Sequence, residues 1–139
     1  MPVPVFSDSW AAACAVVLNQ NAAYRAAAAS WEGALLLQMS TNDGVIESRL
    51  VFLDLWHGEC RLARSGTPSD EGTARYILAG EHTAWRQVLT GQTPPLMAIM
   101  TGKLRLTKGS IMELLPYVAA AKELVLAAAT VEATFPGEE

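Results

Sequence analysis

The pattern of hydrophobic and polar positions changes several times along this chain, and each change marks a predicted element. Up to residue 30 the sequence is rich in alanine, which permits close helix packing. Ser7 or Ser9 is suited to cap a helix over residues 10–19, and Asn21 is suited to cap a second one, because these side chains accept hydrogen bonds from free helix amides. Two N-terminal helices are therefore predicted within residues 7–30.

From Trp31 the pattern becomes that of strands. The segments WEGALLLQMS and VIESRLVFLDLW flank the turn sequence TNDG at residues 41–44, which is typical of an antiparallel hairpin. The tight turn at His57-Gly58-Glu59 leads into CRLARS, and ARYILAG follows after a polar loop. These segments predict a four-stranded meander.

Helical spacing returns at residues 81–90. Gly91 should end this helix, and Pro94-Pro95 should begin a second short one, because proline is tolerated in the first helical turn. Gly102 then leads into a fifth strand, whose alternating pattern is typical of a sheet margin.

An S-x-x-E capping box, Ser110 with Glu113, opens a last amphipathic helical segment, which Pro116 should break into two pieces. The whole pattern predicts a single α/β (α+β) domain over residues 1–139. Its parts are helices within 7–30, 81–101 and 110–134 and a sheet from 31–79 and 103–108.

The second strand has apolar residues on both faces. Val51 and Leu53 share one face, while Phe52 and Trp56 share the other. One face of the sheet is expected to lie under helices. The other is expected to face a ligand cavity, a further helix or a second subunit, and Phe52 and Trp56 are the candidate oligomer face.

Composition narrows the function classes. The 139 residues are 51% hydrophobic with a net charge of −4, which is unfavourable for general nucleic-acid binding because that requires a clustered basic face. The longest uncharged runs are interrupted by polar residues or prolines and are too short to span a membrane. No basic residue precedes Arg25, so a secretory signal is not expected and a cytoplasmic location is predicted.

The sequence contains few candidate catalytic residues. His57 and His82 are the two residues suited to acid–base work near neutrality, and the sequence has neither a G-x-S-x-G elbow nor a phosphate-binding loop. Cys14 and Cys60 lack a CxxC partner, which favours reduced, buried thiols over a disulfide or metal site. We therefore expect neither an enzyme, nor a cofactor, nor a bound metal.

The order of elements and one motif resemble the sterol carrier protein-2 (SCP2) sterol-binding family over nearly the whole chain. The motif is W-x5-G-x-x-x-P, formed by Trp85, Gly91 and Pro95, followed by MAIMTGKLRL. The resemblance implies a five-stranded, mainly antiparallel sheet covered by helices and enclosing a hydrophobic tunnel for sterols, fatty acyl chains or acyl-CoA. The family also includes factors that bind isoprenoid lipids and appended domains that help assembly.

The apolar residues expected to line such a tunnel are Trp85, Leu89, Leu96, Met97, Met100, Leu104, Met112 and Leu115. The methionines belong to this set because flexible thioethers adapt to ligands of varied shape. Lys103 and Arg105 are candidate head-group contacts, since residues 82–112 contain four basic residues and no acidic one.

Two functions follow as hypotheses. The first is non-catalytic binding or transfer of a hydrophobic ligand, with at most transient membrane contact. The alternative is a structural module with the same fold and no open cavity, which forms a homodimer or docks on a partner enzyme. A third and weaker hypothesis is a small enzyme that acts on a bound lipid with His57 or His82 as its base.

Overall fold

A computed structural model describes residues 2–40 and 49–135 of the chain. Its strands are β1 (Val3–Pro4), β2 (Glu32–Ser40), β3 (Arg49–Trp56), β4 (Glu59–Ser65), β5 (Tyr76–Glu81), β6 (Leu104–Lys108) and β7 (Ala133–Thr134). Its helices are α1 (Asp8–Gln20), α2 (Ala22–Ala27), α3 (Asp70–Thr73), α4 (His82–Leu89), α5 (Pro95–Met100), α6 (Ile111–Leu114) and α7 (Val118–Ala129), with a 3₁₀ turn at Leu115–Tyr117. The expected α/β architecture with a five-stranded, mostly antiparallel sheet is confirmed.

The main sheet has the strand order β4-β3-β2-β5-β6. Strands β2, β3 and β4 pair antiparallel, as do β5 and β6, and β6 lies at the sheet margin as predicted. Strand β5 pairs parallel with β2, with Leu35 opposite Tyr76 and Leu37 opposite Leu78. The predicted four-stranded meander is therefore wrong: after β4 the chain crosses back over the sheet, and its next strand forms beside β2.

Helix capping follows the sequence closely at the N-terminal end. The Ser7 hydroxyl accepts a hydrogen bond from the Trp10 amide at 3.2 Å, and the Asn21 side chain accepts one from the Tyr24 amide at 3.0 Å. Both bonds satisfy amides that have no partner inside the helix. The turn predicted at residues 41–44 lies outside the described residues.

The connection from α4 to β6 is set by glycine and proline. Gly91 follows the end of α4 with φ +83°, and Gly102 follows α5 with φ +80°, a left-handed conformation that glycine adopts without steric cost. Pro95 occupies the first position of α5. These positions match the sequence predictions.

The C-terminal segment follows its prediction with one difference. Pro116 lies in the 3₁₀ turn that separates α6 from α7. The Ser110 hydroxyl caps α6 by accepting the Met112 amide at 3.1 Å, but Glu113 does not complete the capping box, because its carboxylate instead accepts a hydrogen bond from Arg75 at 3.0 Å. A short parallel pairing of β1 with β7 then brings the two ends of the described chain together.

The sheet separates two apolar layers. On its inner face, alternate residues such as Leu35, Leu37 and Leu53 pack with the helices into the main core. On its outer face a small cluster contains Leu36, Phe52, Ala74 and Ile77. No helix in the described part of the chain is long and apolar enough to cross a membrane.

Candidate functional site

A cavity of about 260 Å³ lies between the inner face of the sheet and the helices. The sheet contributes leucines from four of its strands: Leu35, Leu37, Leu53, Leu78 and Leu104. These residues line the cavity because side chains two apart on a strand share a face. Helices α1, α4, α5 and α7 form the opposite wall.

The wall contributed by α1 consists of Trp10, Cys14 and Leu18, which are four residues apart and therefore share one face of the helix. All three are buried. Burial raises the pKa of the Cys14 thiol to about 12, with the nearby Cys60 thiol adding to the shift. Cys14 therefore stays neutral and forms apolar wall, since the thiolate is the nucleophilic form of cysteine.

Trp85 is held firmly in the wall next to the sheet. Its indole Nε1 donates a hydrogen bond to the Gln38 carbonyl oxygen at 2.8 Å. Its ring meets Phe6 edge to face at 5.3 Å between centroids, a favoured aromatic geometry. The bond ties α4 to β2, so this part of the cavity wall is pre-formed.

The cavity opens between the loop after α4 and helix α7. The lining residues that are exposed to solvent are Gly91 and Pro94 in the loop and Lys122 and Leu126 on the helix. Lining residues on the sheet and on α1 are largely buried. A ligand would thus have its buried end against the sheet and α1 and its other end at this mouth.

The structure brings half of the predicted apolar residues to the cavity. Trp85, Leu89, Leu96 and Leu104 lie on its wall. The other four do not line it and are instead exposed large hydrophobic residues, namely Met97 (55% exposed), Met100 (73%), Met112 (70%) and Leu115 (46%).

The geometry of α5 explains the outward position of two methionines. Ala98 is fully buried, and Leu96 and Ile99 line the cavity. Met97 and Met100 are three residues apart and lie on the other side of this short helix. The expectation that methionines line the cavity is therefore not met, and α5 contributes Pro95, Leu96 and Ile99 to the lining.

The two predicted head-group residues lie elsewhere. Lys103 and Arg105 border a separate polar pocket with Ser40, Glu81 and Gln87, and the Lys103 ammonium donates to Gln87 Oε1 at 3.2 Å. They do not line the apolar cavity.

The candidate oligomer face has one buried and one exposed member. Phe52 is buried in the outer cluster, with the Arg64 guanidinium 5.0 Å from its ring centroid. Trp56 is 40% exposed, with the Arg61 guanidinium 4.7 Å from its ring centroid.

Sequence reasoning missed the α1 wall and Lys122. The four-residue spacing of Trp10, Cys14 and Leu18 was a usable signal for the first. For Lys122 the signal was the same spacing, because it lies between Val118 and Leu126 on a helix that is otherwise largely apolar.

The two histidines are away from the cavity wall. His57 lies in the β3–β4 turn, where its Nε2 is 2.8 Å from Glu32 Oε2, and His82 is the first residue of α4. Across residues 2–40 and 49–135, no three histidine, cysteine or carboxylate side chains come together in a geometry suited to a metal ion.

Comparison with known proteins decides the family. The sequence model of the SCP-2 sterol transfer family matches residues 15–122, which include most of the cavity wall. The chain belongs to the SCP-2 sterol transfer family. A comparison with curated proteins gave no match.

Solved structures of the SCP-2 fold support the assignment. A crystal structure of sterol carrier protein 2 is 40% identical, with a TM-score of 0.82, 91% of this chain covered and 98% of the other. The solution structure of a conserved hypothetical protein from Thermus thermophilus is 38% identical, with a TM-score of 0.84 and coverage of 99% and 95%. Sterol carrier protein-2 from Aedes aegypti, in complex with palmitate, shares the fold at 20% identity and a TM-score of 0.50, with coverage of 85% and 98%.

Proposed function

We propose that this protein binds one hydrophobic ligand of the lipid class in the apolar cavity and transfers it without chemical change, in the cytoplasm where the sequence predicts it to reside. The observation that carries the proposal is the cavity itself, which is open at one end and lined almost entirely by hydrocarbon side chains. The family's description as sterol transfer proteins and the palmitate complex of the Aedes aegypti relative support the ligand class. The proposed role requires no catalytic residue.

The energetics of such a cavity suit a carrier. Moving an acyl chain from water into it gains about 0.8 kcal/mol per methylene. Relative to a bilayer the gain is near zero, because the methylenes already lie in hydrocarbon. Uptake from and release to a membrane are then both feasible.

The size of the cavity favours a slender ligand. Its volume of about 260 Å³ lies just below the range of about 300–1,000 Å³ typical of small-molecule pockets. Among the ligand classes expected for this family, a fatty acyl or isoprenoid chain fits this space more readily than a fused-ring sterol.

The exposed face of α5 supports transient contact with a membrane during transfer. Met97 and Met100 are exposed on α5, the helix that directly follows the loop at the mouth. Adjacent exposed apolar side chains often mark an interaction surface. We propose that this face touches the lipid surface while ligand passes through the mouth.

The test is a binding titration with delipidated protein, followed by intrinsic fluorescence, since Trp10, Trp31 and Trp85 all line the cavity. Palmitate, a prenyl alcohol and a sterol serve as probes. Saturable binding of a probe, at one molecule per chain by native mass spectrometry, is the expected result. Absence of saturable binding by all three probes would refute the proposal.

A cavity-filling variant shows whether a bound probe occupies this site. Ala121 lies on the wall, whereas Ala119 lies on the exposed side of the same helix. Ala121→Phe should weaken binding by more than about tenfold because the added ring occupies ligand space, while Ala119→Phe should bind normally. Equal affinity of the two variants would place the ligand elsewhere.

A second candidate function is a structural module that dimerises through the outer face of the sheet. The observation that favours it is the exposure of Trp56 and Leu62 on adjacent strands. Sedimentation of wild type and Trp56→Gln separates the candidates. A dimer that the substitution dissociates would support this function, and a monomer at all concentrations would remove it.

A further inference from the structure

We propose that Lys122 makes the cavity selective for a single-chain lipid with an anionic head, such as a fatty acid or an alkyl phosphate. This inference rests on the proposed function, because it assigns the chemistry of the ligand that the cavity would hold. Lys122 is the one charged residue among the described residues that line the cavity.

In the described part of the chain, Lys122 is the one lysine whose ammonium group has neither a hydrogen-bond partner nor an ion-pair partner. The chain has three lysines. Lys103 donates a hydrogen bond to Gln87, and Lys108 donates to the Glu71 carbonyl oxygen at 2.9 Å. Within residues 2–40 and 49–135, neither an ion pair nor a hydrogen bond engages Lys122.

The sequence of α7 offers Lys122 no partner within the helix. Side chains three or four positions apart are neighbours on a helix, and at these distances Lys122 has Ala119, Val118, Val125 and Leu126. The adjacent Glu123 lies about 100° around the helix axis, as follows from 3.6 residues per turn. A carboxylate from outside the helix would therefore meet an uncompensated positive charge.

Lys122 is placed where the polar end of a ligand must lie. It is exposed at the mouth, while the walls formed by the sheet and α1 are buried and apolar. A lipid that buries its chain against those walls leaves its head at the mouth. The loop opposite contributes Thr93, whose hydroxyl is the one side-chain oxygen among the described lining residues.

This arrangement raises the affinity for a ligand with an anionic head group, and it does not raise the affinity for one with an uncharged head group. Charge-assisted hydrogen bonds from lysine to carboxylate or phosphate are stronger than neutral ones. Because the mouth is solvated, the gain is limited to that of an exposed ion pair, about fivefold in affinity. The apolar stem of the lysine covers the rim of the cavity in either case.

The experiment compares palmitate with hexadecanol, which has the same chain and an uncharged head, on delipidated protein. In Lys122→Met, which keeps an unbranched apolar stem and removes the charged end, palmitate should bind about fivefold more weakly. Hexadecanol should bind as it does to wild type. Lys122→Arg should retain palmitate affinity, and Lys108→Met, remote from the cavity wall, should change neither ligand.

Hexadecyl phosphate is measured alongside palmitate, to distinguish a phosphate head group from a carboxylate. Weaker binding of either anion to Lys122→Met than to wild type supports the proposal. An equal loss for palmitate and hexadecanol would show that only the stem matters and would overturn it. So would unchanged binding of palmitate and hexadecyl phosphate to Lys122→Met, or the same selective loss in Lys103→Met. If wild type binds none of the three probes, the proposed function fails for lipids with this hydrocarbon chain, and the inference fails with it.

Discussion

The two faces of the sheet are built from alternate residues of the same strands, yet they are packed in different ways. On the inner face, Leu35 and Leu37 border a cavity. On the outer face, Leu36 is completely buried between Phe52 and Ile77, its neighbours in register. The apolar cavity lies on the side that faces the helices, so alternate residues of one strand border an empty space on one face and a packed cluster on the other.

An ion pair lies on the outer face of the sheet. Arg64 donates two hydrogen bonds to the Asp70 carboxylate, at 2.8 and 2.9 Å, while its guanidinium lies over the Phe52 ring. The inner face has no equivalent charged pair among its described lining residues. A charged pair thus stabilises the outer layer, whereas the walls of the cavity are mainly apolar.

The largest expected effect comes from truncating two adjacent leucines on opposite faces. Leu36→Ala should lower the free energy of unfolding by about 4 kcal/mol, since it opens a new cavity in a packed layer. Leu37→Ala should cost about 2 kcal/mol, near the lower end for such changes, because its side chain already borders empty space. Denaturant unfolding of the delipidated proteins measures both.

The two variants serve as each other's controls, because they remove the same atoms from neighbouring positions of one strand. If both variants lose the same free energy of unfolding, the inner face is packed as tightly as the outer face. The contrast between the layers would then be lost, and with it the space for a ligand.

A smaller effect is expected from the ion pair. Asp70→Asn should cost about 1.5 kcal/mol, at the lower end for a hydrogen bond to a charged group, because Arg64 retains access to water. Arg75 and Glu113 form an exposed pair, so Glu113→Gln is the matched control and should cost a few tenths of a kcal/mol. Equal losses would show that Asp70 contributes no more than a surface charge.

The Arg64–Asp70 pair also predicts that the free energy of unfolding depends on pH. Hydrogen bonds from Arg64 and the Thr67 amide hold the pKa of Asp70 at about 2, below its ordinary value of 3.8. Because the folded pKa is the lower one, the stabilisation is complete above about pH 4 and is lost as the pH falls toward 2. Wild type should therefore lose more stability across this window than Asp70→Asn, and parallel curves would contradict the assignment.

Local signals were sufficient for much of the fold. Ser7, Asn21, Gly91 and Pro95 act within one helical turn of the backbone they control, so their roles were readable from sequence. The parallel pairing of β5 with β2 was not, because it depends on a crossover between strands far apart in the chain. Hairpin-like spacing favours the nearer antiparallel partner, which explains the mistaken meander.

Residues of the candidate site were predictable where the sequence pattern left one apolar face on their strand or helix. Leu104 alternates in a strand, and Trp85 and Leu89 share one side of an amphipathic helix, and the structure places all three on the cavity wall. Helix α5 has six residues and is apolar on all sides, so its periodicity does not distinguish the lining Leu96 from the exposed Met97. Apolar character alone cannot say which side of such a short helix is covered.

The smallest effect on stability, and the one that bears most directly on transfer, is expected at those exposed methionines. The double change Met97→Gln with Met100→Gln should alter the free energy of unfolding by less than about 0.5 kcal/mol, because both side chains are mostly in water. Binding of palmitate from water should also be unchanged, since neither residue lines the cavity.

Transfer of a fluorescent fatty acid from vesicles should nevertheless slow by about tenfold, because two apolar contacts with the lipid surface are lost at the mouth. Val16, also exposed but on α1 and off the cavity wall, provides the control: Val16→Gln should transfer at the wild-type rate. If both variants slow equally, membrane contact depends on overall surface hydrophobicity. If neither slows, ligand reaches the mouth without contact through α5, and the exposed methionines have no part in transfer.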